Sequence, residues 1–185
     1  EEIRSIGRQA VTLQADLLAE DALQALLPRA AEALGGPVTC LVNNASIFEA
    51  DDLATATRES WDRHLDSNLR APFVLTQAMA GQGLSPETDA AGEPRASALI
   101  VNMIDQRVRN LTPECMSYTI AKMGLWAMTR TTAQALAPAI RANAIGPGPT
   151  LPGPPPRRAA FAAPRAGTGP RRGAHTAHNT TPPGP

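Results

Sequence analysis

The sequence has very little tyrosine and lysine, and its single copies of the two lie close together. Among 185 residues there is one tyrosine, aromatic residues make up 3%, and all but one of the 17 basic residues are arginines. Tyr118 precedes Lys122 by four positions in the stretch SYTIAKMG. On a helix, two side chains at this spacing share one face. The pair is therefore the first candidate for a functional site.

Cysteine and histidine are also scarce. Cys40 and Cys115 lie far apart without a C-x-x-C spacing, and no histidines cluster near them. This argues against a disulfide scaffold and a metal site, and favours reduced, buried thiols in a cytoplasmic protein. No apolar run reaches the length of a membrane span, and the charged start EEIRSIGRQ does not resemble a signal peptide. We therefore expect no membrane partner.

Charge and proline divide the chain into two parts. Residues 151–185 hold five arginines and no acidic residue, which leaves 12 basic and 17 acidic residues in 1–150. The mildly acidic first part argues against a nucleic-acid partner. Half of the 18 prolines lie in 152–185. We predict a domain over 1–151 and a disordered tail over 152–185, with a phosphate-contacting arginine-rich arm or a translated non-native reading frame as alternatives for the tail.

Short apolar runs alternate with longer helical patterns, which is typical of an α/β fold with a parallel sheet and crossover helices. The pattern predicts strands over 10–14, 38–44, 98–104 and 140–146. It predicts helices over 17–36, 57–80 and 116–137, with Pro72 bending the second, and an exposed polar loop over 81–97. Each predicted strand runs into polar or special residues, and in such sheets the carboxyl ends of the strands form the ligand crevice.

The spacing of Tyr118 and Lys122 suggests acid–base chemistry. An ammonium about 4 Å from a phenolate attracts it by roughly 4 kcal/mol at an effective dielectric constant near 20. That attraction could lower the phenol pKa by roughly two to three units. The sequence therefore predicts Tyr118 as an acid or base near neutral pH.

Four motifs occur in a fixed order: NNAS after a strand, SNLRAPF in a helix, Y-x-x-x-K in the next helix, and RANAIGPG after the last strand. As an ordered set over residues 1–152, they resemble the short-chain dehydrogenases/reductases. The resemblance implies a Rossmann-type doubly wound parallel sheet and hydride transfer between a nicotinamide cofactor and a small-molecule substrate. It also implies a homo-oligomer that associates through the helices at 57–80 and 116–137.

The resemblance assigns roles to individual positions. It implies that Tyr118 gives a proton to the substrate, that Lys122 binds the nicotinamide ribose and lowers the Tyr118 pKa, and that Asn68 holds a water of a proton relay. The implied cofactor contacts lie near strand ends: Asp16 and Leu17 at the adenine, Asn43 and Ala45 along the cofactor, and Pro147 and Gly148 beside the nicotinamide. Asn68 could instead be an exposed helix residue, and Asp16 the N-cap of the following helix.

One departure from the family pattern indicates a substrate class. Asp105 stands thirteen residues before Tyr118, where the family usually has serine. This aspartate, with NNASIF in place of the usual glycine-ending motif, resembles the pteridine reductases and their dihydromonapterin or dihydrofolate reductase relatives. The resemblance implies that Asp105 relays protons, that Phe48 stacks on the pterin, and that Ser46 contacts cofactor or substrate. Alternatively, Asp105 is a solvated strand-end residue and Phe48 a core aromatic.

The family's glycine-rich phosphate-binding turn has no counterpart here. Gly81 and Gly83 approach a G-x-G, but they lie in a polar loop after a helix. We therefore expect an incomplete Rossmann sheet that lacks the first βαβ unit and the last strand. Without the helix N-terminus that binds the pyrophosphate, weak cofactor affinity and little or no activity are expected.

Three functional hypotheses remain open. The leading one is an NADPH-dependent reductase of a pterin or dihydrofolate-like substrate, and NADH is not excluded because the residues that would read the 2′-phosphate are missing. The second is a short-chain reductase of another carbonyl compound. The third is a non-catalytic fragment or pseudoenzyme that acts only through association.

Overall fold

The computed structural model describes residues 2–148, so the predicted tail over 152–185 and the predicted domain end at 151 lie outside the described residues. The described helices are α1 Glu2–Ser5, α2 Glu20–Leu34, α3 Arg58–Leu65, α4 Ala71–Ala80 and α5 Met116–Leu136. The described strands are β1 Cys40–Asn43, β2 Glu87–Thr88, β3 Pro94–Arg95, β4 Ala98–Met103 and β5 Ile140–Ile145.

The main sheet is parallel, with β4 between β1 and β5. In register, Leu41 of β1 lies beside Ile100 of β4, and Ile100 lies beside Ala142 of β5. Helices connect these strands, because a parallel pair cannot be joined by a tight turn. The predicted α/β fold of the Rossmann type is confirmed, and the three strand ends open on one edge of the sheet.

The core forms where α2 and α4 pack against the sheet. Leu23 and Leu27 lie one turn apart on α2 and are 2% and 4% exposed. Met79 of α4 and Ile100 of β4 are fully buried beside them. Burial of each such side chain stabilises the fold by roughly 1.5–3 kcal/mol. This core fixes the strands whose ends carry the candidate site.

Residues 10–14 do not form the predicted strand. The run is apolar, but a strand requires a neighbour that exchanges backbone hydrogen bonds with it, and no residue among 2–148 does so. Val11 is 43% exposed, and the Ala10 carbonyl accepts a bond from the Arg4 side chain instead. The prediction was therefore wrong for the described residues, because apolar composition alone does not provide a pairing partner.

The polar segment 81–97 is exposed as predicted, but it also contains the two-stranded hairpin of β2 and β3. The Asp89 carboxylate accepts from the backbone N–H groups of Ala91 and Glu93, at 2.8 and 3.0 Å. Gly92 adopts a left-handed conformation at φ +86°, which glycine accommodates without strain. The side-chain caps and the glycine close the turn, so the segment is more ordered than its composition indicated.

The predicted helix over 57–80 is three consecutive helical segments. Thr57 caps α3, a π-helical turn follows over Asp66–Arg70, and α4 carries Pro72 in its first turn. Proline has no backbone N–H, so it interrupts the regular bonding pattern at this point. Single π-turns are frequent at functional sites, and this one contains Asn68.

Candidate active site

The carboxyl ends of β1, β4 and β5 meet the first turns of α5 around a cleft of about 580 Å³. Seven of the residues predicted from the sequence line this cleft: Ser46, Phe48, Asp105, Tyr118, Lys122, Pro147 and Gly148. Residues 46 and 148 are about a hundred positions apart in the chain. The fold therefore brings most of the predicted site together from four separate segments.

Tyr118 and Asp105 are directly bonded. The Tyr118 hydroxyl donates to Asp105 Oδ2 at 2.9 Å, while Asp105 Oδ1 accepts from the Arg107 backbone N–H at 2.8 Å. The second bond caps the short 3₁₀ turn Gln106–Val108 and fixes the carboxylate orientation. Asp105 is thus a half-buried, hydrogen-bonded side chain of the cleft, and its role as a proton relay stays a prediction.

Lys122 lies one turn beyond Tyr118 and is 2% exposed. Its Nζ donates to the Met103 carbonyl at 2.8 Å and lies 5.6 Å from the centre of the Tyr118 ring. Burial lowers the pKa of Lys122, and the nearby Asp105 carboxylate opposes that change. An ammonium has three N–H donors, of which one is bonded within the described residues. The other two can serve a ligand in the cleft.

The expectation that Lys122 lowers the Tyr118 pKa was wrong for this arrangement. Burial is the largest cause that raises the pKa of the Tyr118 phenol, followed by the hydrogen bond to Asp105 and the charge of that carboxylate. Ser46 and Arg107 act in the opposite direction but do not offset these effects. The phenol is therefore neutral at neutral pH, where it can donate a proton or a hydrogen bond.

Phe48 presents an aromatic surface to the cleft. Its side chain is 56% exposed, so the alternative of a core aromatic was wrong. The ring meets Tyr118 edge to face, with centroids 4.7 Å apart, and the Arg107 guanidinium lies 5.3 Å from its centre. Such a face can pack against a planar ligand ring beside the phenol.

Asn68 is fully buried, so its interpretation as an exposed helix residue was wrong. Its side-chain oxygen accepts from the Ile47 N–H at 2.9 Å, and its amide donates to the Ile47 carbonyl at 2.8 Å. The side chain therefore fixes the loop that carries Ser46 and Phe48. A role for Asn68 in a water-mediated relay stays a prediction.

Leu17, Asn43 and Ala45 line a second, largely apolar cavity of about 230 Å³ at the end of β1. The Asn43 amide donates to Asn102 Oδ1 at 2.8 Å and is mostly buried. Asp16 lines neither of the two cavities. Its carboxylate accepts from the Leu18 N–H in a turn, and α2 begins at Glu20 with Ala19 as N-cap, so the N-cap interpretation was wrong.

A buried polar cluster of Asp51, His64 and Ser117 lies next to Tyr118 and was not predicted from the sequence. Asp51 and Ser117 are 66 positions apart, so no local spacing connects them. In the sequence, only the position of Ser117 directly before Tyr118 pointed to this cluster. Within residues 2–148, no group of three His, Cys, Asp or Glu side chains could hold a metal ion. No helix in the same range is long and apolar enough to cross a membrane.

A model of the short chain dehydrogenase family matches residues 1–154. The probable galactose dehydrogenase GalD of Rhizobium meliloti is 36% identical over 143 residues, which cover 77% of this chain and 52% of the relative. The 2-dehydro-3-deoxy-D-gluconate 5-dehydrogenase of Escherichia coli is 32% identical over 149 residues, 80% of this chain and 55% of the relative. The chain thus spans about half the length of these curated relatives.

Two solved structures with a bound nicotinamide cofactor are also similar to this chain. FolM alternative dihydrofolate reductase 1 from Brucella suis, in complex with NADP, is 43% identical with a TM-score of 0.71, covering 82% of this chain and 58% of that one. A blue fluorescent protein from a metagenomic library, in complex with NADPH, is 33% identical with a TM-score of 0.67, covering 80% of this chain and 56% of that one.

Proposed function

Since this chain belongs to the short-chain dehydrogenase family, we propose that its cleft binds NADPH and serves the reduction of a pterin or dihydrofolate-like substrate. The observation that carries the proposal is the 2.9 Å hydrogen bond between Tyr118 and Asp105 inside the cleft. It joins a neutral phenol to a carboxylate at the edge of the sheet where ligands of such folds bind.

The residues around the cleft fit the nicotinamide end of the cofactor. Lys122 has two N–H donors left for ribose hydroxyls, and Pro147 and Gly148 line the same cleft. Gly148 lies close to the Gln106 side chain, since a Cβ at this glycine would lie 3.3 Å from Gln106 Oε1. Reduced nicotinamide supplies the hydride when it is bound. NADP in the similar FolM structure supports the same cofactor for this chain. Asp16 and Leu17 remain proposals for contacts with the adenine, and Asn43 and Ala45 for contacts along the cofactor.

The Tyr118–Asp105 pair suits a pterin better than a simple ketone. A pterin ring carries amino and amide N–H groups, which can donate hydrogen bonds to a carboxylate. It also has a ring nitrogen that must gain a proton during reduction. Tyr118, held neutral by burial and by Asp105, carries the proton that this nitrogen needs. Phe48 offers the stacking face. The similarity to an alternative dihydrofolate reductase supports this substrate class.

Turnover tests the substrate proposal. Purified chain is given NADPH with dihydrobiopterin or dihydrofolate, and in parallel with a panel of ketones and sugars, while NADPH absorbance is followed. We expect slow pterin or folate reduction, since cofactor affinity is expected to be weak. Tyr118→Phe should abolish it, and Asp105→Asn should reduce it by on the order of a hundredfold, the range for a lost general acid or base. Equal or faster turnover of a ketone, insensitive to Asp105→Asn, would contradict the proposal.

Two other functions are kept because specific observations favour them. The similar sugar dehydrogenases favour a carbonyl substrate, which the ketone and sugar arm of the same experiment tests. The apolar groove lined by Leu65, Leu69, Phe73 and Met128 favours a non-catalytic protein that acts by association. No turnover of any substrate by a folded chain that still binds NADPH weakly would support the latter.

We also propose that the chain associates through α3, α4 and α5. An apolar groove of about 460 Å³ lies between these helices, lined by Leu65, Leu69, Phe73 and Met128. Phe73 is 43% exposed there. We expect dimers or larger species by analytical ultracentrifugation, and their dissociation in Phe73→Glu. A monomer at all concentrations would refute the proposal.

A further inference from the structure

Asp51, His64 and Ser117 form a polar cluster that does not line the cleft. They are 6%, 0% and 0% exposed, and they come from the loop after β1, from α3 and from the first turn of α5. Burying such groups is costly unless each is hydrogen-bonded. The bonds that compensate this cost therefore hold the three segments together.

Asp51 supplies the cap that α5 lacks. The residue before the helix, Cys115, has a left-handed backbone at φ 56° and makes no side-chain capping bond. In its place, Asp51 Oδ1 accepts from the Ser117 N–H at 3.1 Å, and the Asp51 carbonyl accepts from the Met116 N–H at 3.2 Å. A carboxylate at a helix N-terminus also interacts favourably with the helix dipole. The start of α5 is thus fixed by a residue 66 positions away.

The hydrogen bonds through His64 have a single consistent direction. His64 Nε2 accepts from the Glu49 N–H at 3.0 Å, so the ring proton is on Nδ1. Nδ1 lies 2.6 Å from Ser117 Oγ and donates to it, and the Ser117 hydroxyl donates in turn to Asp51 Oδ2. The chain of bonds begins at Glu49, next to Phe48, passes through Ser117, next to Tyr118, and ends at Asp51.

We propose that Asp51 and His64, acting through Ser117, are positioning residues that hold Tyr118 against Asp105 and Phe48. Ser117 is held at both its backbone N–H and its hydroxyl, so the next residue has little freedom to rotate or shift. The network thereby sets the 2.9 Å bond to Asp105 and the 4.7 Å ring contact with Phe48. Its catalytic meaning rests on the function proposed for Tyr118, but the positioning itself is measured without turnover.

The single tyrosine makes the test selective. Phenolate absorbance on alkaline titration reports Tyr118 alone, and fluorotyrosine incorporation gives one fluorine resonance. Loss of the network lets the hydroxyl leave Asp105, which removes one cause of its high pKa. We expect His64→Leu to move the titration to lower pH and to broaden or shift the fluorine signal. His64→Asn, whose amide can donate to Ser117, restores both towards wild type.

Ser60→Ala provides a milder variant if His64→Leu does not fold. The Ser60 hydroxyl donates to Asp51 Oδ2 at 3.2 Å from a half-buried position. Its loss is expected to lower the pH at which Tyr118 titrates, by less than His64→Leu does. The exposed Ser85→Ala is the matched control and leaves Tyr118 unchanged. Where turnover is measurable, we expect kcat of His64→Leu to fall on the order of a hundredfold, as for a misplacement of about 1 Å, while its KM for NADPH is unchanged.

Variants that lose thermal stability but keep the wild-type Tyr118 titration and fluorine resonance would show a structural network only, and would overturn the proposal. So would a His64→Asn variant that behaves like His64→Leu. Absence of pterin turnover in the wild type would instead bear on the proposed function and leave this result standing.

Discussion

Replacing Asp105 by asparagine isolates the interaction that sets the protonation of Tyr118. Asparagine keeps the shape of the side chain but removes its charge. The carboxylate raises the phenol pKa both by accepting the 2.9 Å hydrogen bond from the neutral form and by repelling the phenolate. Both effects disappear in Asp105→Asn, so the phenol pKa falls while burial still holds it above its ordinary value.

The size of the change follows from the bond. A hydrogen bond to a charged partner contributes about 1.5–3 kcal/mol, and one pKa unit is about 1.4 kcal/mol, so the Tyr118 pKa falls by about one to two units. Phenolate absorbance measures it directly, because the chain has no other tyrosine. Circular dichroism is measured through the same titration to check that the chain stays folded. Asp21→Asn, an exposed carboxylate on α2, is the control. A midpoint equal to or above that of the wild type would refute the electrostatic argument.

Two further predictions concern stability. A Cβ added in Gly124→Ala would lie 2.8 Å from Leu69 Cδ2, the end of a half-buried side chain that lines the apolar groove and can move aside. The helix-propensity gain of about 1 kcal/mol should therefore dominate, and denaturant unfolding should show a net gain in stability. Gly36→Ala, outside the helices and with no atom within 4 Å, is the control, and a net loss in Gly124→Ala alone would contradict the argument. Burial alone would raise the pKa of the Asp51 carboxyl, but hydrogen bonds from Ser117 and Ser60 lower it below its ordinary value of 3.8. The ionised carboxylate therefore stabilises the fold above that pH, and this contribution is lost as the pH falls below it. The stability difference between wild type and Asp51→Asn should therefore shrink on acidification, and a constant difference would contradict it.

The sequence predicted those parts of the fold that depend on local pattern. β4, α5 and β5 lie within about one residue of their predicted bounds. The two strands are clear apolar runs, and α5 is a long segment with a helical pattern. Residues 10–14 failed because pairing is a property of two segments, and apolar composition reports only one. The hairpin at Glu87–Arg95 was missed because two-residue strands have no periodicity to detect.

For the site, residue identity predicted the grouping but not the electrostatics. Tyr118, Lys122, Asp105 and Phe48 do share a cleft, as the resemblance implied. The direction of the Tyr118 pKa was predicted wrongly, because helix spacing gave the distance to Lys122 but not the bond from Tyr118 to Asp105 or the extent of burial. The contacts of Asp51 with α5 cross 66 positions and could be found only from the folded chain.

Titration with NADPH shows whether the cleft around Tyr118 and Lys122 is a cofactor site. NADPH is titrated into the purified, folded chain and into Lys122→Ala, and binding is followed by nicotinamide fluorescence. We expect the wild type to bind NADPH and the variant to bind it at least about tenfold more weakly, because a hydrogen bond from a charged donor contributes about 1.5–3 kcal/mol. No binding at millimolar NADPH by a folded wild-type chain, or equal binding by both proteins, would contradict the proposed role of this cleft.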